Sequence, residues 1–313
     1  MKTQIADWLF LYNTIQQVID NNLNIRLKIY YFTLEMSKEQ KMLSAFSNIL
    51  YVKEGVRIAP KDLRSTKEDK VLTEEYLELI TKYKPYFDKI EEIVEFIDDI
   101  RNPYGIYKFM RDYAADNGVQ HKKTIETNDG RQIEIDDYYE PNDPDEYVMI
   151  FIDHIGLISP DSEHGEKLSL YGSIQKLSSE YLIRLRNKYK YIPVVIQQQA
   201  SAQESLDNFK ANKLKPSLDG LGDCKLTQRD ADVILGLFSP FRHEIREYLG
   251  YDTTFFKDNI RFLEIIGGRE GGAGEVCPLY FDGAVNYFKE LAKSSDLEGL
   301  KKVYDYIKYV VRK

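Results

Sequence analysis

Residues 148–154 read VMIFIDH, five apolar side chains followed by an acid and a histidine. An unbroken apolar run of this length suits a strand buried on both faces, the habit of parallel sheets covered by helices. It places the carboxylate of Asp153 at the strand's carboxyl end, the edge where open α/β sheets bind ligands. There the acid either caps the next turn, as acids after buried strands commonly do, or holds a divalent cation against phosphate oxygens.

Outward from this strand the chain alternates. Residues 28–34 (KIYYFTL) form a second apolar run, again followed by an acid, Glu35. A carboxylate so placed can take a proton from an attacking water, or merely begin the turn before Ser37, whose SKEQ sequence is a helix-capping signal. Further strands are expected at 93–97, 192–196, 233–238, 260–266 and 275–281. Helices are expected at 3–20, from Ser37 to about 52, at 73–91 with a kink at Pro85, from Asn102-Pro103 to about 116, at 168–189 and at 296–311. Residues 122–127 and 131–135 flank Asn128-Asp129-Gly130, a hairpin signal. Residues 136–146 and 200–222 read as polar loops. The alternation predicts an α/β fold. One mainly parallel sheet would hold 28–34, 93–97, 147–152, 192–196 and 233–238, with helices on both faces.

The 313-residue chain is long enough for one large α/β domain or two small ones. Its formal net charge of −8 argues against nucleic-acid binding driven by overall charge, yet leaves room for a local basic channel. Two isolated cysteines, Cys224 and Cys277, point to a reducing compartment rather than to a disulfide scaffold or a zinc site. His154 and His164 make no metal-ligand pattern. With no secretory signal and no apolar run of about 20 residues, no membrane span is expected.

Order and spacing of the short motifs carry more than any one of them. FTLEM (32–36), IDHIGLI (152–158), PVVIQQQ (193–199), KLTQRDADVILGLF (225–238) and IIGGREGGAGEV (265–276) follow one another. In that order they resemble the RecA-like motor domain of DnaB-type replicative helicases, in a divergent phage-type form, over nearly the whole chain. The resemblance implies a RecA-like P-loop NTPase fold with ATP and Mg²⁺ as cofactors. It implies a homo-hexamer that translocates on single-stranded DNA in a bacterial host's cytoplasm, with a helicase loader or primase as further partners.

The same resemblance assigns roles. IDHIGLI matches the family's Walker B strand, so Asp153 would ligate Mg²⁺. FTLEM matches the segment bearing the catalytic glutamate, so Glu35 would be the general base. PVVIQQQ matches the strand that ends in a phosphate-sensing glutamine, here Gln199, with Gln197 and Gln198 as alternatives. The glycine-rich segment matches the one bearing the arginine finger, so Arg269 would reach a neighbouring subunit's site, where such a residue is worth roughly 10³–10⁵ in rate. Lys2-Thr3 resembles the tail of a GxxxxGK[ST] loop, so Lys2 and Thr3 would bind nucleotide, Thr3 sharing the metal with Asp153. Lys225, Lys215 and Lys213, with Lys210, are candidates to track DNA phosphates.

The departures are equally specific. The strand and glycines that precede Lys2 in the family do not stand in this sequence, where Met1 occupies the place of the last glycine. A late start or a fragment would give this, and residues 1–313 alone are then expected to bind ATP feebly and hydrolyse it negligibly. Gly267 stands where the family has a lysine. Gly222, beside Asp223, stands where it has an arginine, a role open to Lys225. The family's amino-terminal primase-binding domain is missing. The motor would span 1–283 with a hairpin insertion at about 122–146, and 284–313 would form a helical tail. The alternative function is a non-hydrolysing scaffold or assembly protein on the same fold. A recombination- or clock-type ATPase of the RecA family fits Glu35 and the Gln-Arg-Asp-Ala-Asp segment less well.

Overall fold

The computed structural model describes residues 2–64, 72–163, 166–200, 205, 207–208 and 214–311. The chain divides into two compact units, one of residues 14–38 and 83–197, the other of 1–13, 39–82 and 198–313.

The first unit is built on a four-stranded, wholly parallel sheet. Its strands are β1 (Arg26–Thr33), β2 (Val94–Ile97), β5 (Glu146–Asp153) and β6 (Ile192–Val195), in the order β2-β1-β5-β6. Between β2 and β5 lies a separate antiparallel hairpin, β3 (Gly118–Glu126) with β4 (Gln132–Pro141). The central strands are sealed, with Tyr31, Phe32, Ile150, Phe151 and Ile152 all at 0% exposure. Burying each such side chain stabilises by about 1.5–3 kcal/mol.

Helices flank this sheet. In Pro103–Asp116 the residues Ile106, Met110 and Ala114 recur every fourth position and are buried. Pro103 sits in its first turn, where the missing N–H costs nothing. The orphan donors there are met by a distant acid: Asp161 Oδ2 accepts from the Tyr104 N–H at 3.0 Å, and Oδ1 accepts from Asn102 Nδ2 at 2.8 Å. The long helix after Ser169 runs through Leu170–Lys176, a π-helical turn at Leu177–Leu182, and Ile183–Tyr189. Ser169 Oγ caps it by accepting from the Gly172 N–H at 3.0 Å.

The second unit carries a four-stranded antiparallel sheet of β7 (Val233–Phe238), β8 (Ile260–Gly268), β9 (Val276–Asp282) and β10 (Tyr287–Glu290), in the order β10-β9-β8-β7. Phe238, Tyr251, Phe256, Ile260, Phe262 and Tyr280 form its core with Ile307 of the helix Leu297–Val311. A smaller cluster joins Ile5 to Leu279, Phe281 and Phe288. In this unit Lys41 lies fully buried against Asp7, with Nζ 3.1 Å from Oδ2. Arg57 clamps Asp282 through Nε and Nη2, at 2.7 and 3.1 Å.

Three expectations need correction. Residues 233–238 are a strand, but not of the parallel sheet: they pair antiparallel with β8. Residues 136–141 are not loop, because β4 extends to Pro141. Tyr287–Glu290 is a strand that the sequence pattern did not suggest. The helix expected over 73–91 is broken at Tyr83 into Glu74–Lys82 and Lys84–Ile93, with Pro85 in the first turn of the second piece. No helix among the described residues is long and apolar enough to cross a membrane.

Candidate functional site

Glu35 and Asp153 lie at the same edge of the parallel sheet. Strands β1 and β5 run side by side from Arg26↔Glu146 to Thr33↔Asp153, so both end together. The Leu34 N–H then donates to the Asp153 carbonyl at 2.8 Å, carrying the pairing one residue beyond the strands. Asp153 is fully buried, while Glu35, on the turn that follows Leu34, is exposed. A base that must meet water and an acid that must hold a cation against phosphate call for these two environments.

Two residues that sequence reasoning missed fix this edge. The Tyr31 hydroxyl donates to Asp153 Oδ2 at 3.0 Å, with both side chains at 0% exposure. Arg101, on the loop after β2, donates through Nη2 to the Leu34 carbonyl. The same Arg101 accepts at its own carbonyl from the Ser159 N–H at 2.9 Å. Thr33 Oγ1 closes the turn by donating to the Met36 carbonyl. The backbone on which Glu35 rides is thus tied to β5, to the loop after β2 and to itself. The segment after β6 stays on the same edge: Ile196 N–H donates to Ile152, and Ile155 N–H donates to Ile196, both at 3.0 Å. That places Gln197 beside Asp153's strand.

The other candidates belong to the second unit. Lys2 and Thr3 open the helical turn Lys2–Ala6, with Lys2 exposed. Gln199 makes an isolated antiparallel bridge with Leu221, and its Nε2 donates to the Ser217 carbonyl at 3.2 Å. Gly222 lies so close to this strand-like stretch that a Cβ there would stand 2.9 Å from the Gln198 carbonyl oxygen, which explains a glycine at that position. Arg269 follows β8 and is half exposed, paired with Asp232. Lys215 is paired with Glu264 at 3.0 Å, an interaction that raises its pKa. Lys225 is exposed, and no ion pair among the described residues engages it. Lys210, Lys213 and His164 lie outside the described residues.

No cluster of three or more histidine, cysteine or acidic side chains suited to a metal occurs among the described residues. Mg²⁺ needs none: it keeps several waters and takes one or two carboxylates together with phosphate oxygens. A buried carboxylate whose one oxygen is held by a phenol is a rigid, hard oxygen ligand, and Asp153 fits that role.

No family model matches the chain, and no curated protein matches it. Among solved structures it is similar to a DnaB-like replicative helicase, described with its interactions with primase, at a TM-score of 0.63 and 16% identity, covering 93% of this chain and 56% of that one. It is also similar to a second solved structure, an isolated helicase ATPase domain, at a TM-score of 0.60 and 15% identity, covering 89% of this chain and 79% of that one. The chain thus spans little more than half the length of the first. At these identities the likeness carries the fold, and the chain has the RecA-like α/β fold seen in the ATPase domains of DnaB-like replicative helicases.

Proposed function

We propose that this chain is an ATP-dependent DNA helicase motor that works as a homo-hexameric ring on single-stranded DNA in the cytoplasm, with a primase or helicase loader as further partner. The observation that carries this reading is the shared edge of β1 and β5, which sets Glu35 one turn beyond the partner of Asp153. Asp153, with Thr3, would hold Mg²⁺, which when bound neutralises charge between the terminal phosphates of ATP. Glu35 orients the attacking water and accepts its proton. Lys2 meets phosphate oxygens, Gln199 senses the terminal phosphate, and Arg269 serves a neighbouring subunit's nucleotide. Lys225, Lys215 and Lys213 face DNA.

The test is hydrolysis of ATP by the natural protein, with and without single-stranded DNA. Glu35→Gln should lower turnover by about 100-fold or more, the usual worth of a general base, while ATP affinity changes little. A Glu35→Gln protein that hydrolyses at the wild-type rate overturns the reading. Nucleotide binding without turnover in the wild-type protein would instead support an assembly scaffold on the same fold.

A further inference from the structure

We infer that Tyr31 is a positioning residue for the metal-binding carboxylate of Asp153; the inference rests on the reading of Asp153 as a Mg²⁺ ligand. The two residues are 122 positions apart in sequence and meet only because β1 and β5 pair in register. Tyr31 sits opposite Phe151, and Thr33 opposite Asp153, so Tyr31 is the diagonal neighbour of Asp153 on one sheet face. Its ring stacks on Phe151, with centroids 4.9 Å apart and planes at 12°, and leans on Phe96 at 5.4 Å. Packing therefore fixes the ring, and the ring carries the hydroxyl past Phe151 to Asp153 Oδ2 at 3.0 Å.

A buried hydroxyl without a partner costs about 1–3 kcal/mol, so a phenylalanine would serve packing alone at least as well. The hydroxyl's evident use is to take one oxygen of the carboxylate and set the plane of the group. Partners of this kind orient metal ligands, and their loss typically costs 10–100-fold in metal affinity. The phenol touches neither substrate nor the reacting atoms, so it acts through Asp153.

The experiment measures Mn²⁺ affinity, by electron paramagnetic resonance in the presence of ADP, for the wild-type protein and for Tyr31→Phe, Tyr31→Leu and Asp153→Asn. Tyr31→Phe keeps the ring and loses only the hydroxyl. It should weaken Mn²⁺ binding 10–100-fold, leave ADP affinity without metal unchanged, and recover turnover when Mg²⁺ is raised. Tyr31→Leu, which gives up the ring as well, should weaken the metal to a similar extent. If only the leucine variant weakens it, packing rather than the hydroxyl matters and the inference falls. If Asp153→Asn abolishes Mn²⁺ binding while Tyr31→Phe binds as wild type, the inference falls and the site reading stands. If Asp153→Asn binds Mn²⁺ normally, Asp153 is no ligand and both fall.

Discussion

Arg269 is held by Asp232 through side chain and backbone at once. Its Nη1 lies 3.2 Å from Asp232 Oδ1, its N–H donates to the Asp232 carbonyl at 3.0 Å, and Nη2 donates to the Arg229 carbonyl at 2.8 Å. The Gln-Arg-Asp-Ala-Asp segment, at first only a motif, is the cradle of this arginine. Both partners of the ion pair are about half exposed, so the pair contributes little stability of its own.

Arg269→Ala should therefore leave stability within about 0.5 kcal/mol of wild type. As a finger acting between subunits it should nonetheless lower ATP turnover by roughly 10³-fold or more. Mixing Arg269→Ala subunits with Glu35→Gln subunits should restore part of the activity, because some interfaces then hold an intact acid and an intact arginine. Wild-type turnover by Arg269→Ala alone, measured by phosphate release, removes the assignment.

Lys225 and Lys215 should differ on DNA. The Lys215 ammonium already has Glu264 beside it, whereas Lys225 is exposed with no ion pair among the described residues. Lys225→Ala should lower affinity for all single-stranded sequences alike and make the salt slope shallower by about 0.7. Lys215→Ala should change it less. Titrations at several salt concentrations check this, and an unmoved slope for Lys225→Ala places the DNA contact elsewhere.

The Lys41–Asp7 pair predicts a large stability effect. Their side chains are 0% and 3% exposed. Removing one partner strands the other charge in the core, a loss of about 3–5 kcal/mol. Lys41→Met should cost that much in urea unfolding, and the double change Lys41→Met with Asp7→Leu should recover most of it. A cost below about 1 kcal/mol for the single change would mean that water reaches the site.

Much of this architecture was legible in the sequence, and the illegible parts have physical reasons. The strand ending at Asp153 announces itself because both its faces are dry. The Asn128-Asp129-Gly130 turn is readable because Gly130 needs its φ of +78°. β4 is not readable past residue 135, since most of its side chains face solvent and lack the alternation that marks a half-buried strand. For β7 the apolar run fixes a strand but not its partner, as parallel and antiparallel neighbours satisfy the same side chains. The ties around Glu35 and Asp153 were invisible for a different reason. Arg101 meets a carbonyl 67 residues away and Tyr31 a carboxylate 122 residues away, and residue type alone does not say what lies across such distances.

Cys277 offers a check by pH. Burial, reinforced by the charge of Glu290, pushes its thiol up to about 11, against about 8.5 for a free cysteine. The folded state thus holds the proton more tightly than the unfolded one. The stability that this contributes is present below about pH 8.5 and is lost as pH rises towards the folded value. At neutral pH iodoacetamide should label Cys277 about 100-fold more slowly than in urea, because the thiolate is the reactive form. Equal rates in mass-spectrometric time courses would contradict the shift.

The hairpin has a consequence for engineering. Gly118 faces Pro141, Val119 faces Glu140 and Gln120 faces Tyr139, so its two legs leave the sheet unit as direct neighbours. Such an arm is a cassette: it can be cut above Gln120 and Tyr139 and rejoined by a two-residue Asn-Gly turn. Its return leg enters β5 at Glu146, whereas Asp153 is the last residue of that strand. At about 3.3 Å per residue the strand alone separates the two ends by roughly 23 Å. A reporter or affinity module grafted there would ride at the far end of the sheet from both acids, leaving their chemistry to be watched without being touched.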